Sequence, residues 1–120
     1  MFKSIQDVKE YITKTIAKHS KDFVTSNYKI RYSIRQRRAL ASTITTYKLA
    51  TPTKLEFVFN NTYLASFKDN EEDIKDTVLH EIAHAIVGSQ HHHDYVWKAC
   101  CNKIGYKPES YKSLNKKLEY

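Results

Sequence analysis

The feature that most constrains the fold is a helical pattern between residues 70 and 88. Its apolar residues recur at intervals of three and four, which is typical of one face of an α-helix: Ile74, Val78, Leu79, Ile82 and Ile86. Asn70 and Asp73 fit a capping pair, acidic residues suit the first turn, and Gly88 is a natural stop. The rest of the chain must therefore cover the apolar face of a long helix.

Other patterns predict one helix before this segment and one after it, with three strands in between. Residues 4–18 repeat the helical spacing, with Ser4 as the expected cap. Residues 28–35, 41–50 and 54–60 alternate or are rich in β-branched residues, which favours strands, and Pro52 is expected between the last two. A last helix is expected from Asp94 to Gly105.

These elements predict an α+β fold. We expect an N-terminal helix, a small and mainly antiparallel three-stranded sheet, the helix of residues 70–88 and a C-terminal helix. The chain has 120 residues, two Gly and two Pro, and no Gly/Ser-rich linker divides it. The whole of residues 1–120 is therefore expected to form one domain.

The charge of the chain is unevenly distributed. The net charge is +7, and residues 1–68 carry 13 Lys and Arg against 4 Asp and Glu. Such basic regions favour polyanion partners, because binding to phosphates releases counterions. We expect single-stranded DNA to bind the exposed face and end of the first strand, near stacking tyrosines: Lys29, Arg31, Arg35, Arg37 and Arg38. The alternative is an ordinary solvated face.

The start of the chain indicates an intracellular, cytoplasmic protein without a membrane segment. Its charged residues interrupt every apolar run, so neither a signal peptide nor a membrane span is expected. Cys100 and Cys101 are adjacent, which does not suit a disulfide framework and favours two reduced cysteines. The oligomeric state is left open.

The predicted central helix also carries the pattern H-E-x-x-H. His80 and His84 are four residues apart, so they project from the same side and could bind one zinc ion. Glu81 is then placed to act as general acid and base, taking a proton from a water that the ion activates. The alternative interpretation is a polar triplet on the solvent side of an amphipathic helix.

A third metal ligand is expected from the histidines that follow the helix. The position six residues after His84 is Gln90, which disfavours the metzincin arrangement, and no later helix offers a suitable glutamate. His91, His92 and His93 remain as candidates. His93 is preferred, because it immediately precedes the last predicted helix and could point back towards the first two ligands.

Several segments together resemble the SprT-like metallopeptidase domain over about 80 residues. They occur in the family's order: "IRYSIRQRRALAS", "LEFVFN", "DIKDTVLHEIAHAI" and "HDYVWKACCNKIGYKP". In the family an aromatic residue follows the third zinc histidine by four positions, and His93 with Trp97 meets that register. The resemblance implies His80, His84 and His93 as zinc ligands and Glu81 as general acid and base. The chain departs from the family pattern at Asp94, because the family usually has a glycine at that position.

The resemblance implies a zincin fold and a zinc-dependent metalloendopeptidase. The implied substrate is a protein or peptide, including proteins bound or crosslinked to DNA, and residues 54–60 are the candidate edge strand that aligns it. Two alternative functions fit the same sequence features. One is a nucleic-acid-binding module with a structural zinc, which the presence of Glu81 disfavours. The other is an ImmA-type repressor-cleaving peptidase, which lacks the register of His93 with Trp97.

Overall fold

The computed structural model of the chain describes residues 1–34 and 40–106. Its regular elements follow in chain order, with a short 3₁₀ turn at Ser20–Asp22 after the first helix: α1 (Ile5–His19), β1 (Tyr28–Ser33), β2 (Ala41–Lys48), β3 (Thr51–Asn60), α2 (Asn61–Ala65), α3 (Phe67–Val87) and α4 (Tyr95–Lys103). The protein is therefore α+β, with the order of helices and strands that the sequence predicts. The short α2, which Asn60 caps by accepting from the Tyr63 amide, was not predicted.

The three strands form a mixed sheet in the order β1-β3-β2. β2 runs antiparallel to β3, whereas β1 runs parallel to β3. The prediction of a mainly antiparallel sheet is therefore wrong for β1, which pairs in parallel. The reason lies in the connection, because the chain passes from β1 to the far edge of the sheet before it returns through the β2–β3 hairpin.

β3 is the central strand, so the prediction that residues 54–60 form an edge is wrong. Phe57, Val58 and Phe59 are consecutive and all buried, which is the pattern of a strand covered on both faces. The predicted place of Pro52 is also wrong, since it lies within β3 opposite Tyr47, where the register shifts. The two strands meet in a tight turn in which Leu49 has a φ of 60°.

The main core lies between one face of the sheet and two helices. α1 and α3 contribute aliphatic side chains, and β3 contributes those of the sheet: Val8, Ile12, Ile16, Ile74, Val78, Ile82, Leu55, Phe57 and Phe59. Tyr28, Ile30 and Tyr32 of β1 pack against this core, as their alternation predicts. Ile34 does not, because β1 ends at Ser33 and leaves Ile34 77% exposed.

Local capping interactions define the helix ends. The Ser4 hydroxyl accepts a hydrogen bond from the Asp7 amide at 3.2 Å, which confirms the predicted start of α1. α3 begins at Phe67, earlier than predicted, and Asn70 forms a non-helical break inside it. Gly88 ends α3 with a φ of 93°, as expected. In the described part of the chain, no helix is long and apolar enough to cross a membrane.

Candidate metal centre

α3 places the H-E-x-x-H residues one helical turn apart and inside the protein. His80 and Glu81 are 0% and 1% exposed, and His84 is partly buried. The alternative interpretation, a polar triplet that faces solvent, is therefore wrong for His80 and Glu81. Burying a carboxyl and an imidazole is unfavourable unless other groups compensate them, so these side chains indicate a site and not a surface.

The loop between α3 and α4 brings the third histidine to the first two. The His91 amide donates to the Gly88 carbonyl at 3.3 Å, and His93 takes a left-handed conformation with a φ of 60°. Asp94 then starts α4, because its Oδ1 accepts from the Trp97 amide at 3.0 Å. The loop thus reverses direction and returns the His93 ring to the helix that carries His80 and His84.

The Nε2 atoms of the three histidines form a nearly equilateral triangle. The separations are 3.3 Å between His80 and His84, 3.2 Å between His84 and His93, and 3.1 Å between His93 and His80. Zinc–nitrogen bonds of roughly 2.0–2.1 Å at tetrahedral angles separate two ligand nitrogens by about 3.3 Å. The three side chains could therefore hold one metal ion.

Hydrogen bonds among the rings do not explain this triangle. A neutral imidazole carries a single N–H, so three converging Nε2 atoms bring lone pairs or protons face to face. Burial lowers the pKa of His80 to about 2 and that of His84 to about 3, and it also lowers the pKa of His93. The rings are therefore neutral at physiological pH, which is the form that binds metals.

Trp97 contacts all three candidate ligands. Its ring centroid lies 4.7 Å from that of His80, 5.3 Å from that of His84 and 4.5 Å from that of His93. The indole is 2% exposed and belongs to a second apolar cluster with Ala83, Cys101 and Tyr106. The sequence identified Trp97 only by its spacing from His93. In the structure the indole of Trp97 packs against all three imidazole rings and restricts their orientation.

Glu81 lies beside the triangle with its two oxygens in different environments. Oε1 is 2.7 Å from the hydroxyl of Thr43 on β2. Oε2 is 3.9 Å from His80 Nε2 and has no hydrogen-bond partner among the described residues. Burial raises the pKa of Glu81 to about 8, and the Thr43 hydrogen bond opposes that rise. A nearby cation is the group that would favour the ionised carboxylate here.

Sequence reasoning did not identify Thr43, because no local pattern shows which residue of a strand meets a helix elsewhere in the chain. The sequence also indicates Asp94 only as the start of a helix and as a departure from the family pattern. In the structure Asp94 has a second role, since its Oδ2 lies 2.7 Å from His91 Nδ1. The two contacts of Asp94 connect α4 to the loop that carries His93.

The predicted nucleic-acid residues lie elsewhere. Lys29 and Arg31 are on β1, on the sheet face opposite the main core, and each contacts Glu56 at 3.3 Å. The Arg31 hydrogen bond lowers the pKa of Glu56, so this carboxylate is ionised and offsets part of the positive charge. The three remaining predicted residues lie outside the described residues: Arg35, Arg37 and Arg38.

Together, fold and site define an α+β protein with three converging histidines on the long helix and the loop that follows it. The sequence model of the SprT-like family matches residues 12–117. The chain therefore belongs to the SprT-like family, as its motifs indicated, and this membership fits a metallopeptidase-like role. No curated protein and no solved structure gives a significant match to the chain.

Proposed function

We propose that this protein is a zincin-type, zinc-dependent metallopeptidase that hydrolyses peptide bonds. The observation that carries the proposal is the triangle of Nε2 atoms from His80, His84 and His93, with the buried carboxyl group of Glu81 beside it. Three neutral imidazoles are a common ligand set of catalytic zinc, which keeps further coordination positions for water or substrate. A bound zinc ion supplies Lewis acidity towards the scissile carbonyl and the attacking water.

Glu81 is the residue that moves protons in this proposal. Its Oε2 accepts one proton from the attacking water, whose oxygen bonds to the carbonyl carbon of the substrate. The same carboxyl then gives that proton to the amide nitrogen as the carbon–nitrogen bond breaks. The products are a carboxylic acid and an amine, which become a carboxylate and an ammonium group at neutral pH when the acid proton passes to the amine. A structural zinc site would not need a buried carboxyl at this place, which is why the binding-module alternative is disfavoured.

β2 is the strand that we assign to substrate alignment, in place of the central β3. β2 lies at an edge of the sheet and reaches the site, since Thr43 contacts Glu81. An extended peptide can add to such an edge through main-chain hydrogen bonds, which hold it independently of its sequence. Ile44 and Tyr47 are 45% and 37% exposed on this strand and offer apolar contacts to substrate side chains.

The test of catalysis compares the wild type with Glu81→Gln. We expect the variant to keep one zinc per chain, because all three histidines remain, and to lose casein cleavage by at least about 100-fold, because an amide cannot accept the proton. Zinc is measured by elemental analysis after dialysis, and cleavage by release of labelled peptides. Equal cleavage by the two proteins would overturn the catalytic assignment.

Proteins bound or crosslinked to DNA are the substrates that we propose. The support is the net charge of +7 and the basic face of β1, although Glu56 offsets Lys29 and Arg31 there. A variant with Arg31, Arg35, Arg37 and Arg38 changed to Ser should bind single-stranded DNA less tightly. The slope of log affinity against log salt should become shallower by about 0.7 per lost phosphate contact.

A fluorescent single strand titrated at several salt concentrations measures this slope. Glu56→Gln is the matched control, and its expected effect is opposite. It removes the carboxylate that pairs with Lys29 and Arg31, so the variant should bind DNA more tightly. If neither variant changes affinity or slope while fold and zinc content are intact, the basic face is not where DNA binds, and the substrate is selected in another way.

A further inference from the structure

Thr43 makes the one hydrogen bond that the Glu81 carboxyl has among the described residues. Its Oγ1 lies 2.7 Å from Glu81 Oε1 and 3.1 Å from the Glu81 carbonyl oxygen. A hydroxyl has a single proton to donate, and a separation of 2.7 Å is typical of donation to an ionised carboxylate. The proton of Thr43 therefore goes to Oε1 whenever Glu81 is ionised.

This contact makes the two oxygens of Glu81 unequal. Oε1 is engaged by Thr43, whereas Oε2 is buried, lies 3.9 Å from His80 Nε2 and has no partner in the described part of the chain. The last torsion of a glutamate is broad, so nothing in the side chain itself would hold the carboxyl plane in one orientation. The contact to β2 supplies that constraint.

We propose that Thr43 is a positioning residue, which orients Glu81 so that Oε2 is the oxygen that carries the proton during peptide hydrolysis. The inference rests on the proposed function and deepens it. In the reaction, Oε2 takes a proton from the attacking water and returns it to the departing amine nitrogen, while Thr43 keeps its own proton and its bond to Oε1. Thr43 is neither consumed nor ionised.

The place of Thr43 in the sheet gives this contact a second consequence. Thr43 pairs with Phe57 of β3, so its side chain is on the core side of the sheet, towards α3. The main chain of the same residue belongs to β2, the edge strand that we assign to the substrate. One residue therefore links the position of the bound peptide to the orientation of the base, over 38 residues of sequence.

The test compares Thr43→Val, which removes the hydroxyl but keeps the shape, with Thr43→Ser, which keeps the hydroxyl. Thr45→Val is the matched control, because Thr45 lies two residues further on the same face of β2 and pairs with Leu55. We expect Thr43→Val to retain zinc and to lose about 10- to 100-fold in kcat with little change in KM. Thr43→Ser and Thr45→Val should resemble the wild type.

A readout independent of turnover is the ¹³C resonance of the Glu81 carboxyl in zinc-loaded, glutamate-labelled protein at one fixed pH. Glu81→Gln assigns the resonance by removing it. Thr43→Val should shift it, because the donor to Oε1 is lost, whereas Thr43→Ser and Thr45→Val should not. If Thr43→Val does not fold, Thr43→Ala removes the same hydroxyl with less bulk and takes its place in both measurements.

The outcomes separate this inference from the proposed function. A wild-type protein that holds zinc but cleaves no casein overturns the proposed function. An unchanged Glu81 resonance or an unchanged kcat in Thr43→Val overturns the role of Thr43 alone. Equal losses in Thr43→Val and Thr45→Val also overturn it, since they would show that β2 only needs its threonines for packing.

Discussion

Helix α3 and the loop of residues 88–94 present their histidines to the same point by different physical means. His80 and His84 lie on the part of α3 that follows the break at Asn70, where each side chain direction follows from backbone hydrogen bonds four residues apart. His93 follows Gly88 by five residues and has a φ of 60°, which costs roughly 1–2 kcal/mol for a residue with a side chain. The helix thus provides two of the three candidate ligands without strain, and the loop provides the third candidate with strain.

This difference indicates which contacts keep the third candidate ligand, His93, in place. Asp94 bonds to the Trp97 amide with one oxygen and to His91 with the other, and Trp97 packs against the His93 ring. These contacts hold the loop in the conformation that the left-handed His93 requires. The loop part of the site should therefore be the more sensitive part, and the following substitutions test that expectation.

The largest effect is expected from His93→Ala. Removing one of three ligands should weaken zinc binding by more than about 100-fold, whereas His91→Ala and His92→Ala should change the zinc affinity much less. Competition with a chelator of known affinity measures the difference. Retention of zinc in His93→Ala together with its loss in His92→Ala would move the third ligand to another residue of the loop.

A smaller effect is expected from Asp94→Ala, which removes both contacts of the carboxylate. We expect zinc affinity to fall by about 10-fold and the free energy of unfolding to fall by about 1 kcal/mol, because a helix cap is lost as well. Chelator competition and urea denaturation measure the two quantities.

Asp94→Ser is the matched control, since serine can cap α4 but has no second oxygen for His91. Compared with Asp94→Ala, Asp94→Ser should restore the free energy of unfolding to near the wild-type value, whereas its zinc affinity should stay as low as that of Asp94→Ala. If Asp94→Ser restores both, the link to His91 has no part in the metal site and the cap alone is responsible.

The smallest effect is expected at Leu49. Among the described residues other than glycine, Leu49 and His93 are the two with a positive φ. Leu49 is 98% exposed, so it loses no burial on substitution. Leu49→Asn should raise the free energy of unfolding by about 0.5–1 kcal/mol, because asparagine tolerates the left-handed conformation better. Zinc affinity should not change.

Leu49→Ala keeps the strain and should leave stability unchanged. The measurement is again urea denaturation. If Leu49→Asn gains nothing over Leu49→Ala, then a φ of 60° carries little cost in this protein, and the strain assigned to His93 would have to be reduced in the same proportion.

Much of the fold could be predicted because its signals are local. Ser4, Gly88 and Asp94 end or begin helices through contacts within four residues, so their sequence neighbourhoods are enough to identify them. The strand order could not be predicted in this way. Alternation shows that a segment is a strand, but it does not show which strands lie beside it. The one sign of a central position in the sequence is the run of consecutive apolar residues in β3.

The sequence alone determined the long helix and the placing of His80, Glu81 and His84 on it, because helical hydrogen bonds join residues four apart. Its motifs also determined the family. The tertiary structure decided which histidine completes the triangle, that β1 pairs in parallel with β3, and that Thr43 reaches Glu81. These contacts join segments that are far apart in sequence or depend on a strained loop. They exist only when the core has brought β2, α3 and α4 together.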